Sequence, residues 1–149
     1  MIRLLATVVL GVTTSVLIAA DKYAVPPHPA STTQKCAVDQ PTGQPTSAKN
    51  GTNWDVSTSG KYNYDDTWSF KSLKAEILYT KGLTTRAGPL TIITDESTIG
   101  TPGTFLFPFP NIPPPQADEM MNLKVTIIVR KTGQQDKTEN HAKQVPMPP

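Results

Sequence analysis

The chain reads as an all-β protein, a small two-sheet sandwich, and three observations predict it. Fifteen prolines in 149 residues leave few stretches in which a helix could propagate. Apolar residues recur at period two in residues 68–80, 104–110 and 123–130, the alternation of strands with one face buried. Gly and Pro clusters separate these runs at intervals of about 10 to 15 residues, the punctuation of a sandwich rather than of strand–helix units.

The elements follow in chain order. Residues 1–20, MIRLLATVVLGVTTSVLIAA, carry one basic residue, an apolar run from Leu4 to Ile18 and a small-residue end at Ala19 and Ala20, the pattern of a secretory signal peptide. Gly11, Thr13, Thr14 and Ser15 interrupt the run and no basic cluster follows it, so cleavage after Ala20 is expected rather than a retained anchor or stable membrane insertion. Residues 21–53 are rich in Pro, Thr, Ser and Gln, with Val25 and Val38 the only large aliphatics. They read as an extended or disordered leader. Asn50-Gly51-Thr52 within it is a glycosylation sequon, a signal with meaning only in a eukaryotic secretory path.

The folded domain is expected over residues 54–132. Trp54 and Val56 alternate with polar residues, Ser59-Gly60 offers a turn, and Tyr62 and Tyr64 resume the alternation, which reads as a hairpin. In residues 68–80, Leu73, Ala75, Ile77 and Tyr79 form the buried face. Helical spacing competes over 71–79, but Gly82 and the missing N-terminal cap favour a strand. Pro89 opens a strand at Leu90–Thr94, closed by Asp95-Glu96, and Gly100, Pro102 and Gly103 make the next turn.

Phe105, Phe107 and Phe109 share one parity and ask for a core, while Pro108 and Pro110 cannot donate to a ladder. The strand therefore belongs at a sheet edge and is a candidate edge-strand contact. In LKVTIIVR, residues 123–130, Leu123, Val125, Ile127 and Val129 face inward. Residues 133–149 are polar and read as a flexible tail.

Gly103-Thr104-Phe105-Leu106-Phe107-Pro108 and Leu123-Lys124-Val125-Thr126-Ile127 resemble the penultimate and last strands of immunoglobulin-like modules of secreted proteins. The resemblance covers about the C-terminal third of the chain. It implies a small immunoglobulin-like β-sandwich, without the Cys-Trp-Cys spacing of antibody domains.

Composition restricts the function classes. Removing the signal leaves 129 residues, one domain, with 13 basic and 12 acidic side chains and no like-charge run, so nucleic acid is not an expected partner. Cys36 is the only cysteine. The domain cannot be a disulfide scaffold, and Cys36 is either a tolerated thiol or a candidate intermolecular disulfide.

His28 and His141, the only histidines, fall in the expected leader and tail, where no rigid shell would hold a triad or a metal. HExxH, CxxC, GxSxG and phosphate-loop patterns are missing, and no cofactor is expected. Asp65-Asp66, Asp95-Glu96 and Asp118-Glu119 are acidic pairs at strand ends, read as solvated turns with calcium as the rival. Antiparallel order puts the first two pairs at one pole and the third at the other. Trp54, Tyr62, Tyr64 and Trp68 are a candidate ligand-binding cluster for sugar rings, with core packing as the competing reading. Pro108 to Pro115 reads as a rigid loop, with a polyproline ligand as its rival.

These readings lead to an expectation: a secreted, periplasmic or cell-surface non-enzymatic structural or binding module that contacts proteins or itself through an edge strand. The alternative is a carbohydrate-binding accessory module using the aromatic cluster.

Overall fold

The structure, a computed structural model, describes residues 38–149. The signal-peptide reading, the first part of the leader, His28 and Cys36 lie outside the described residues. Seven strands, all antiparallel to their neighbours, form two sheets: β1 (Thr42–Asn50), β2 (Asn53–Lys61), β3 (Ser69–Lys81), β4 (Thr84–Ile93), β5 (Thr104–Ile112), β6 (Met120–Arg130) and β7 (Lys137–Gln144). The orders are β1-β2-β5 in one sheet and β4-β3-β6-β7 in the other. β1 lies against β7, and β4 runs near β5. Among the described residues no helix is long and apolar enough to cross a membrane.

Period-two alternation builds the core. From β3 come Leu73, Ala75, Ile77 and Tyr79, and from β6 come Met121, Leu123, Val125, Ile127 and Val129. These face Val56 of β2 and Phe105, Phe107, Phe109 and Ile112 of β5. The outward residues of β3 and β6 include Lys74, Glu76, Lys124 and Thr126, so each central strand has one dry and one wet face. The inward faces predicted for residues 68–80, 104–110 and 123–130 are the faces observed.

The sandwich is larger than the expected 54–132. β1 occupies what reads as leader and β7 what reads as tail, and Val145 beyond β7 is buried. Both strands sit at sheet edges, held by ladders to β2 and β6, so backbone pairing rather than an apolar stripe places them. The resemblance is corrected accordingly. Its two segments are the fifth and sixth strands, in different sheets, with β7 following.

Ser59-Gly60 is not a turn. β2 runs straight through it, with Gly60 opposite Gly43 on one side and Phe105 on the other. A Cβ on Gly60 would stand 1.7 Å from the Thr42 carbonyl oxygen and 2.7 Å from the Phe105 ring. The glycine is there for close approach. The actual β1–β2 turn is Gly51-Thr52, where Gly51 has φ +62, the positive φ that a two-residue hairpin loop asks of its first residue.

Among the described residues every in-strand proline lies in an edge strand: Pro45 in β1, Pro89 in β4, Pro108 and Pro110 in β5. β2, β3 and β6, which pair on both sides, contain none. A residue without an N–H can be tolerated only where one side of the ladder is open.

Candidate functional site

The strands run from pole to pole. One pole gathers residues 62–68, 94–103 and 131–136, the other residues 51–52, 82–83, 113–119 and the segment after β7. The four aromatics of the candidate ligand cluster divide between them. Trp54 opens β2 at the second pole, while Tyr62, Tyr64 and Trp68 lie past the strand's other end.

Tyr62 and Tyr64 are 2% and 4% exposed, so they offer nothing to a sugar ring. Their hydroxyls donate to the two oxygens of Glu96, at 2.8 Å to Oε1 and 2.7 Å to Oε2. Glu96 opens a 3-10 turn, Glu96–Thr98, and is only 8% exposed. Burial first, then the hydrogen bond and charge of Glu96, push both phenols well above their ordinary value. The two hydroxyls meet the acceptor demand of a carboxylate out of water. The site is a structural polar knot. Trp68 is half-buried beside it, with Lys131 Nζ 5.9 Å from its ring centroid.

The acidic pairs fall as antiparallel order requires, Asp65-Asp66 and Asp95-Glu96 at the first pole and Asp118-Glu119 at the second. Within a pair the roles differ. Asp95 caps the 3-10 turn, accepting from the backbone N–H and hydroxyl of Ser97, while its neighbour Glu96 turns into the core. Asp65 accepts from the Thr67 N–H at 2.8 Å. The Ser97 and Thr67 bonds hold both aspartates below the usual carboxylate range. Among the described residues no three His, Cys, Asp or Glu side chains converge on a metal-sized site.

At the second pole Arg86 lies 3.8 Å over the Tyr79 ring and makes a two-pronged bond to Glu119, at 2.8 and 3.3 Å. Glu119 also accepts from the Gln116 N–H. The Arg86 and Gln116 bonds hold its carboxyl low. The Tyr79 hydroxyl donates to the Pro113 carbonyl at 2.7 Å, anchoring the end of the stretch that reads as a rigid loop in sequence; its first part, Pro108 to Ile112, is strand rather than loop and belongs to β5. Beside this group a cleft of about 260 Å³ is lined by Trp54, Met120, Met121, Gln144 and Met147. A shallower groove of about 340 Å³ crosses the outer face of the three-stranded sheet between Thr46, Ser57 and Pro108.

The expected edge contact is corrected in its residues. β5 is an edge strand, but Phe105, Phe107 and Phe109 are buried against the opposite sheet and unavailable to a partner. Pro108 and Pro110 remove two of its donors. The other edges are blunted as well: β1 carries Pro45, and β7 turns Lys137, Glu139, His141 and Lys143 to the inner side, opposite Val129, Ile127, Val125 and Leu123. Inward charge and proline are both known guards against stray strand pairing.

β4 is guarded only as far as its own proline and bulge at Gly88-Pro89. Gly88-Pro89 bulges opposite Ile77, and beyond it Leu90 and the β-branched Thr91, Ile92 and Ile93 form an uncharged stretch on an edge that pairs with no other strand among the described residues. Leu90 and Ile92 point to the outer face beside Glu76 and Lys74, and are 52% and 47% exposed. The strand expected at Leu90–Thr94 is longer than its sequence suggests, running from Thr84 to Ile93 with Pro89 inside it rather than at its start; the absence of charge and proline between Pro89 and Asp95 was the signal for a contact there. No family model, curated protein or solved structure matches the chain.

Proposed function

We propose that the chain is a secreted or cell-surface non-enzymatic module of the immunoglobulin-like type, a structural or binding element that self-associates through a strand edge. The observation that carries the reading is the unguarded end of β4 on a sandwich whose other edges are guarded. An unpaired row of N–H and C=O groups with apolar neighbours is a template for another strand.

Two further features support it. The strand orders β1-β2-β5 and β4-β3-β6-β7 interlock the pairs β2–β5 and β3–β6 across two sheets, as in Greek-key sandwiches used as extracellular modules. Three carboxylates are engaged in the fold: Glu96 by two tyrosines, Glu119 by Arg86, Asp55 by Asn50 and the Asn111 N–H. The carbohydrate reading loses its platform with Tyr62 and Tyr64 in the core.

Size-exclusion chromatography with light scattering on the full chain, with and without reducing agent, tests the proposal. A concentration-dependent assembly is expected, and a component that disappears on reduction belongs to Cys36. A monomer at every concentration overturns self-association.

A further inference from the structure

We infer that the partner at β4 is a second copy of this chain, bound about a two-fold axis that passes through Thr91, so that two four-stranded sheets join into one of eight strands. The inference rests on the self-association proposed above and names the surface, the register and the occupant.

What is free at this edge is backbone, so the occupant must itself be an extended strand with a free edge. In an antiparallel pair, directly opposed residues share a face. A two-fold axis normal to the sheet therefore pairs residues of equal parity, and the bulge at Gly88-Pro89 confines the ladder to residues beyond it. Centring on Thr91 satisfies both conditions. Leu90 of each copy then opposes Ile92 of the other on the outer face, twice over.

These side chains are exposed in the single copy, and the pairing makes one patch of four. Leu78, partly exposed on the same outer face of β3, borders it. Cross-strand pairs of large apolar residues are the stabilising unit of a sheet, and here the strand is complementary to itself, as an isologous interface requires.

The charges agree with the same arrangement. On β3, Lys74 is opposite Ile92 and Glu76 is opposite Leu90. Each apolar row across the junction thus runs Lys74, Ile92, then Leu90 and Glu76 of the other copy, with a cation at one end and an anion at the other. The two copies present opposite charges to each other in both rows. Arg86, the only charged residue of β4, lies on the far side of the bulge and is held by Glu119, so no charge is placed in the new ladder. A joint of three residues per strand, 90 to 92, stays below the size of a standard stable interface, so the dimer is expected to be weak and to form on the order of 100 µM.

The test is sedimentation velocity of the full chain carrying Cys36→Ser, from about 10 µM to about 1 mM, a span that brackets that weak class. A doubling of mass with concentration is expected. Ile92→Lys places a charge in the patch and should abolish the dimer. Leu106→Lys, at an equally apolar position 65% exposed on the outer face of β5, should leave it intact. Thermal melting of the variants, expected to be unchanged, shows that both still fold. A dimer that survives Ile92→Lys overturns the β4 assignment and leaves self-association through another surface. A chain that stays monomeric at every concentration overturns both.

Discussion

Removing one phenol hydroxyl from Glu96 is expected to destabilise the domain more than removing a comparable hydroxyl elsewhere. Tyr62→Phe and Tyr64→Phe keep the ring and its packing and delete one donor each. A hydrogen bond to a charged acceptor contributes about 1.5–3 kcal/mol, against about 0.5–1.5 kcal/mol for a neutral pair. Each oxygen of Glu96 accepts one tyrosine bond, at 2.8 and 2.7 Å, the arrangement of a carboxylate acceptor, and the range for a charged acceptor is used. For a domain of about 100 residues, near 4 °C per kcal/mol, each variant should melt about 6–12 °C lower. Tyr79→Phe is the internal comparison, because its hydroxyl donates to a neutral carbonyl, that of Pro113. It should lose about 1 kcal/mol. The double variant Tyr62→Phe/Tyr64→Phe leaves the carboxylate with neither phenol and should fall further than the two single losses added together. Urea unfolding at constant m-value is the assay. If the Tyr62 and Tyr64 variants lose no more than Tyr79→Phe, Glu96 is not a charged acceptor and the knot is not what closes this pole.

Three other outcomes follow from the same structure. Gly60→Ala should cost about 3 kcal/mol in urea unfolding, because the new methyl meets the Thr42 carbonyl oxygen at 1.7 Å, whereas Gly100→Ala, with nothing within 4 Å, should be nearly silent. His141→Leu should raise the urea midpoint, by about 1 kcal/mol of stability, since the buried Nε2 of His141 has no hydrogen-bond partner among the described residues and an unsatisfied buried polar atom is costly. Stability measured against pH should fall at both extremes. The folded-state phenols of Tyr62 and Tyr64 ionise above their unfolded value of 10.0, so their contribution is full below pH 10 and declines as pH rises beyond it. Glu119, Asp65 and Asp95 ionise below their unfolded values of 4.5 and 3.8. Their contribution is present above those values and declines as pH falls through them. A profile flat through pH 11 would remove the phenol argument.

What the sequence shows depends on whether burial or pairing places a strand. β3, β5 and β6 are legible because their inner faces are apolar by alternation, Leu73 to Tyr79, Phe105 to Phe109 and Leu123 to Val129. β1 and β7, TGQPTSAKN and KTENHAKQ, have no such stripe. Their inner positions include Gly43, Ser47, Glu139 and Lys143, and backbone ladders to their sequence neighbours β2 and β6 hold them. The aromatic cluster was legible as four residues and not as a geometry. Trp54 and Tyr62 are eight positions apart, and at about 3.3 Å per residue an extended strand sends them to opposite poles. Glu96 was hidden for a different reason. Beside Asp95 it looks like a solvated turn residue, and only the tyrosines that fold onto it distinguish the two.

The described chain enters beside Tyr64, where Val38 forms its bridge, and leaves past Val145, whose N–H donates to the Met121 carbonyl at the opposite pole. A mechanical load applied between these points is directed along the strand axes. The β1–β2 ladder, paired from Thr42↔Lys61 to Asn50↔Asn53, is then sheared along its length rather than opened from one end, so its backbone bonds resist together. Joined to neighbours at both poles, the domain would carry tension as a link in a cable does.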